Sequence, residues 1–532
     1  MAARRPPEPE PEDELQDEEL PPEEAPDRTI RSAPWWAVSI ALHAVILIIA
    51  TIWVVGSAIL KEELITIVQI TPRKIDEIEF ERPRDVFENK KPIKNEQPSK
   101  EDPVFIKDAE ESDHNETDNN EEFQQAKGES KDFLSDKPFK GEGVYDTIGI
   151  GGGGGGKYGG RLGGKRNLVA RGGGSEATES AVLAALRWLA RHQDADGHWG
   201  CRDFSSECNR VVKEGGKCGG PGYEEYDVGV TSLSLLAFLG AGYTHLSKDT
   251  YDGICFGTVV KKGIQWLTQT QTPEGAITGK SSAKYMYNHA VAALALAEAY
   301  GLTGSPLFKE QAQKAIDYLI KAQNPYKAWR YTEKSGDNDT SVSGWAIMAL
   351  KSADISGLNV PKEGYSGGKA WLDECTGDDF RAGYTERGTG KVAVQGQNEK
   401  YDHHEALTAV AIMARIFIDK NRNDPRLSGG AKLIVSDLPE WDGWKIDYYY
   451  WYYSSLALFQ LDGPSGPFWK AWNEKMKSAL VTHQKTRKDG CANGSWDTAE
   501  RWSFEGGRVY ATAINALTLE VYYRYENVFG VR

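Results

Sequence analysis

Residues 188–199 read WLARHQDADGHW: Trp188-Leu189, three residues, Gln193, three residues, then Gly197-His198-Trp199. The phrase recurs, which marks an internal repeat. Lys262-Gly263, Trp266-Leu267, Gln271 and Gly275-Ala276-Ile277 form the second copy; Lys314-Ala315, Tyr318-Leu319, Gln323 and Trp329 form the third. Gly368-Lys369-Ala370-Trp371-Leu372 opens a degenerate fourth, Gly430-Ala431-Lys432-Leu433 a weaker fifth, and Lys477-Ser478, Leu480, Gln484 and Gly494-Ser495-Trp496 close the series. Between the copies lie segments rich in Ala, Leu and Val, at about 228–241, 288–301, 340–353, 403–418, 448–461 and 508–524. Apolar nearly all round, these read as buried helices, whereas the amphipathic copies of the phrase read as outer ones. Six outer and six inner helices in alternation predict an all-α fold, a closed (α/α)6 toroid over residues 175–532.

The phrase resembles the QW motif of terpenoid cyclases and protein prenyltransferases. The first copy matches it fully and the others in part, and the likeness spans about 176–532. The resemblance implies a toroid in which Gln193, Gln271, Gln323 and Gln484 cap helix ends and stack on Trp199, Trp329 and Trp496 of neighbouring repeats. That is a stability device and leaves the chemistry open. AQNPYKAWRY (322–331) and DTSVSGWAIMALKSA (339–353) also look like a group of bacterial membrane-anchored toroid proteins.

Composition divides the rest of the chain. Residues 1–33 are rich in Pro and Glu and lack apolar periodicity, as a disordered tail does. Trp35 to Leu60 is an uncharged run of 26 residues, enough at 1.5 Å per residue to cross a hydrocarbon core of about 30 Å. A single transmembrane helix is therefore expected at 34–61. Arg28 and Arg31 before it, against Lys61, Glu62 and Glu63 directly after it, favour an N-terminus in the cytoplasm and a C-terminal domain outside the inner membrane. Residues 62–174 are charged, then acidic and Asn-rich, then glycine-rich through the unbroken run Gly151–Gly156, so a flexible linker is expected. With 63 basic against 78 acidic residues the chain carries −15 and shows no basic stripe, which argues against nucleic acid. The bilayer is the expected partner. Ser39 and His43, four apart on one helix face, resemble the transmembrane segment of TonB-type energy transducers; the resemblance implies a proton-driven motor as a second partner.

Closing a ring gathers the inner-helix N-termini at one mouth. Cap candidates there are Asp227, Asn288, Asp339 and Asp402, the last with Glu405 at capping-box spacing. Tyr285, Tyr287, His289, Trp345, His403 and the run Tyr448 to Tyr453, Tyr449 among them, would line the hollow, or else be ordinary core. Helix-dipole ends suit an anionic or hydroxylated ligand, and an aromatic wall suits an apolar or cationic one. Type II terpenoid cyclases protonate an alkene from Asp-x-Asp-Asp-Thr. Here Gly336-Asp337-Asn338-Asp339-Thr340 places an amide where the acid belongs, so Asp339, with Asp337, is the only defensible catalytic pair. Prenyltransferases hold Zn²⁺ through Asp, Cys and His; Asp373, Cys375, Asp402, His403 and His404 have the right types but not a convergent placement. No phosphate loop, nucleophile elbow or HExxH is present, and neither a cofactor nor a metal is expected. Cys201, Cys208 and Cys218 follow the first repeat and Cys491 lies in the last, so ring closure would let them form one or two disulfides, in keeping with an oxidising compartment. A Zn²⁺ site with His198 is the rival reading, and Cys255 and Cys375 read as buried thiols. Three functions follow: a membrane-tethered toroid that binds a ligand or partner in its cavity without cyclase chemistry, an enzyme acting on an isoprenoid-type substrate, and a TonB-like transducer or scaffold.

Overall fold

The computed structural model describes residues 43–44, 158, 161, 165–208, 216–279, 282–388, 404–524 and 528–529. The tail, the expected membrane segment except for His43 and Ala44, most of the linker, Ser39, Asp402 and His403 lie outside the described residues. Among the described residues no helix is long and apolar enough to cross a membrane. His43 and Ala44 are helical and exposed, in a unit (Met1–Lys94) separate from the one that holds the repeats (Asn95–Arg532).

In that second unit helices alternate between two layers. The outer layer is α2 (Glu176–Arg191), α4 (Phe256–Thr270), α6 (Pro306–Ala322), α8 (Lys362–Cys375), α10 (Pro425–Ser436) and α12 (Pro467–Val481). The inner layer is α3 (Asp227–Gly240), α5 (Tyr285–Thr303), α7 (Thr340–Ile355), α9 (Ala406–Asp419), α11 (Tyr448–Asp462) and α13 (Ser503–Leu519). Short helices α1 (Lys165–Gly172) and α14 (Val521–Arg524) flank them, and a two-stranded hairpin, Thr250–Tyr251 with Ile254–Cys255, precedes α4. Each inner helix packs on the next, and α13 packs back on both α2 and α3. The array closes into an (α/α)6 double ring.

Local chemistry sets these elements. Ser175 and Thr178 cap α2 reciprocally. Pro306, Pro425 and Pro467 open three outer helices, where a missing N–H costs nothing. Asp339 and Asp447 cap α7 and α11 through Val342 N and Tyr450 N. Three cap expectations change. Asn288 lies inside α5, which starts at Tyr285. Asp227 is the first residue of α3, and its Oδ1 accepts from Cys201 N at 2.7 Å. Glu405 is itself the cap position of α9 and turns its carboxylate to Arg381 and Thr408, while Asp402 lies outside the described residues.

The repeated Gln works by hydrogen bonds. Gln193 donates to Gly197 O of its own turn and to Val259 O of the next outer helix, at 2.8 and 3.0 Å. Gln271 does the same to Gly275 O and Gln311 O, Gln323 to Lys327 O and Gly364 O, and Gln484 to Gly494 O and Ala181 O. Trp199, Trp329 and Trp496 donate back to carbonyls of their own outer helices, at Leu189, Leu319 and Leu480. The glutamine therefore stitches its own turn to the first turns of the adjacent outer helix.

Part of the expected linker belongs to the folded ring. Arg161 is fully buried, 2.6 Å from Glu298 Oε2, while Arg524 reaches the same carboxylate at 3.2 Å and the carbonyl of Leu236. Tyr158 hydroxyl meets Ser356 Oγ at 2.8 Å, and Lys165 pairs with Glu179 at 2.8 Å. Arg161 and Arg524 lie near the C-terminal ends of α3 and α5, where the helix dipole favours positive charge. The carboxylates of Glu298 and Glu179, placed in the core, recruit these two arginines and Lys165.

Candidate functional site

At the opposite end, the first turns of all six inner helices surround a cavity of about 450 Å³. Leu233, Val291, Trp345 and Leu407 give it an apolar floor. Tyr226, Tyr287, Tyr331, Tyr384, Tyr449 and Tyr510 ring the wall with hydroxyls, and Trp502 and Phe504 complete it. Polar groups are few: Lys284 and Glu505, paired at 3.1 Å, Asn288, Ser341, His404 and Asp447. Ser341 Oγ lies 2.6 Å from Tyr449 hydroxyl, and the Tyr331 and Tyr384 hydroxyls are 2.5 Å apart.

Charge at the wall centres on Asp447. Its Oδ2 lies 2.9 Å from Arg501 and 3.4 Å from His404 Nε2. Burial pushes His404 down to about 4 against the pull of Asp447, so the imidazole is neutral at physiological pH and Arg501 balances the carboxylate. Glu500 is pushed up to about 8, first by burial and then by the charge of Asp447. Burial pulls Lys284 down, but the charge and hydrogen bond of Glu505 together with Tyr331 and Glu225 hold it above its usual range. The wall thus offers a neutral imidazole, the Asp447 carboxylate and one rim cation among aromatic faces, with Glu500 behind the lining.

Of the residues read from sequence, Tyr287, Trp345 and Tyr449 line this cavity. Asp339 is fully buried and stands outside the lining, although Tyr287, Tyr384 and Tyr449 feel its charge. Burial raises its carboxyl to about 7, and its Oδ2 has no hydrogen-bond partner among the described residues. Asp337 is at the surface, paired with Arg330. His289 is turned outward: Ile277 N donates to its Nδ1 and its Nε2 donates to Ala315 O, a structural bridge from α5 to α6. Asp227 is engaged with Cys201 N. Tyr285 accepts from Glu333 N, and Tyr448 and Tyr450 to Tyr453 are core. Asp373 pairs with Arg415 and Arg426 at 2.7 and 2.5 Å, away from His404, so no prenyltransferase-like metal triad assembles among the described residues.

The cysteines also depart from expectation. None of the six forms a disulfide, which removes that support for an oxidising compartment. Cys201 lies apart, beside Asp227, and Cys255 is only half-buried. His198 turns to Asp196 at 2.5 Å and stacks on Trp266, so it is not the fourth partner. Cys208, Cys218 and Cys491 do meet, but around His192.

No family model matches the chain, and no curated protein is similar to it. Among solved structures it is similar to a type II terpene cyclase, MstE from Scytonema, at 15% identity over 65% of this chain and 97% of that one, with a TM-score of 0.41. It is also similar to an alpha-1,6-mannanase of Salegentibacter (12%, 65% and 99%, TM-score 0.44) and a protein from Actinoplanes (15%, 65% and 98%, TM-score 0.38). At these identities and scores the likenesses carry nothing about chemistry.

Proposed function

We propose that the chain is a membrane-tethered, extracytoplasmic toroid that binds a small amphiphilic molecule in its cavity, without cyclase chemistry. The observation that carries this is the wall itself: six tyrosines, three further aromatic rings and few charges around about 450 Å³, within the size range of small-molecule sites. The apolar floor at Leu233, Val291 and Leu407 suits a hydrocarbon or ring body. Lys284 and the converging helix N-termini suit an anionic or hydroxylated group at the rim. The uncharged segment from Trp35 to Leu60 and the charges that flank it support the tether and its orientation.

A second reading, an enzyme, rests on Asp339. Burial holds its carboxyl protonated to about pH 7 beside the cavity tyrosines, the state a general acid needs. Its complete burial behind the lining favours binding over turnover.

The test is to extract the full chain from its native membrane in detergent and identify bound small molecules by mass spectrometry. A stoichiometric molecule that is lost in Val291→Trp, whose helical content is unchanged, is the expected result. Wild type that yields no bound molecule, or Val291→Trp that retains it, removes the reading. Conversion of that molecule by wild type and not by Asp339→Asn moves the protein to the second.

A further inference from the structure

We infer that His192, Cys208, Cys218 and Cys491 form a structural zinc site that clasps the first repeat of the ring to the last. Their ligand atoms all lie within 4.8 Å of one another, and all four residues are buried. His192 Nε2 stands 3.5 Å from Cys208 Sγ, 3.7 Å from Cys218 Sγ and 3.4 Å from Cys491 Sγ. A tetrahedral ion with Zn–S near 2.3 Å and Zn–N near 2.0–2.1 Å requires sulfur–nitrogen edges of about 3.6 Å. A disulfide would instead draw two sulfurs to about 2.05 Å and leave the third with nothing to meet.

The imidazole is oriented for metal. Its Nδ1 lies 2.8 Å from the carbonyl of Trp188, which can only accept, so Nδ1 carries the proton and Nε2 presents its lone pair to the sulfurs. The ring is held there by stacking on Trp188, with centroids 4.1 Å apart. One lone pair accepts one S–H well, yet three thiols converge on it; a cation at their centre satisfies all four groups. Cys218 N donates to Cys208 Sγ at 3.2 Å, a bond that stabilises a thiolate. Three thiolates and one imidazole, with no position open, are the donor set of a structural rather than a catalytic zinc site. Loading breaks three S–H bonds and releases three protons to solvent, with no change of oxidation state.

The clasp spans the seam of the ring, since 299 residues separate His192 from Cys491. The inference is independent of what the cavity binds. Its test is the metal content of the full chain, purified in detergent under reducing conditions without added metal. One zinc per chain is expected. Replacement by Co²⁺ should give the visible bands of a tetrahedral ion together with thiolate-to-cobalt charge transfer. His192→Ala and Cys491→Ser should lower zinc affinity by about tenfold or more, while Cys255→Ser should leave it unchanged. A reduced wild-type chain that holds no zinc and takes up Co²⁺ without charge transfer overturns the proposal, whether or not the variants fold. So does zinc retained at full affinity by both His192→Ala and Cys491→Ser.

Discussion

Gln484 of the last repeat donates through Nε2 to the carbonyl of Ala181 in the first, 2.8 Å away and 303 residues earlier. Gln193, Gln271 and Gln323 make the same bond to the outer helix that follows each of them. In this bond the seam repeats the other interfaces between consecutive outer helices. Truncation to Gln484→Ala removes the bond between repeats to Ala181 O and leaves the buried Gly494 carbonyl without its side-chain donor, at about 1–3 kcal/mol for such a group. The urea midpoint of the full chain should fall accordingly, and amides of α2 and α12 should lose exchange protection. Unchanged protection there would show that the seam does not depend on this residue.

Gly494 packs against the same helix. Its φ is +91°, and a Cβ there would lie 2.3 Å from the carbonyl oxygen of Ala184. Gly197 and Gly275 meet Lys262 O and Lys314 O in the same way. Gly494→Ala combines backbone strain with a clash against rigid backbone, so a loss above about 1 kcal/mol is expected. Gly304→Ala shares the positive φ but faces open space, and it should cost clearly less in the same thermal unfolding experiment.

Arg161 and Glu298 make a buried pair at the end of the ring away from the cavity. Burial alone would raise the carboxyl, but the charges of Arg161 and Arg524 outweigh it and hold Glu298 below its usual range. Arg161→Met leaves a buried carboxylate half-compensated, at about 3 kcal/mol, the lower end for a broken buried pair. Arg161→Met combined with Glu298→Gln should recover part of that loss. A double variant that unfolds earlier than Arg161→Met would show that Glu298 acts other than through its charge.

Asp339 gives a pH signature. Its folded carboxyl titrates at about 7, against 3.8 when exposed, so between these values the native state holds a proton that the unfolded state has released. Stability from this group is full below about pH 4 and is lost as pH rises to about 7, by on the order of 4 kcal/mol. Arg330 and Ser341 N oppose the shift, Asp337 adds to it, and Tyr287, Tyr384 and Tyr449 face the group. Asn is as good a cap, so Asp339→Asn keeps the bond to Val342 N and removes the titration. Thermal midpoints of the two proteins should converge at low pH, with the variant higher at pH 8. A wild-type minus variant difference that is flat with pH would place Asp339 in a polar environment.

Part of the site is legible in the amino-acid sequence. Trp345 sits one turn inside a helix whose start Asp339 marks, and Tyr287 and Tyr449 fall in the first turns of apolar segments that read as inner helices. Tyr226, Tyr331 and Tyr384 reach the cavity from loops with no periodicity to locate them, and Asp447 is hidden as a cap because a run of tyrosines follows it. His289 departs from its expected place because a helix starting at Tyr285 rather than Asn288 turns that side chain to the outer layer. His192 lies inside the first copy of the repeated phrase, between Arg191 and Gln193, and nothing in its spacing from Cys491 marks the two as neighbours.

Periodicity is local: it depends on residues three and four apart, so the chain alone settled which segments are helices, which of them are buried on every side, and that they alternate. The resemblance of the glutamine phrase to the QW motif added that Gln193, Gln271, Gln323 and Gln484 stand at the ends of four outer helices. Which loops meet over the cavity, which cation enters the core beside Glu298, and which histidine faces the three thiols depend on the closure of the ring. That closure joins residues some three hundred positions apart, at distances set by the summed rotation of six helix pairs, and no local pattern carries the sum.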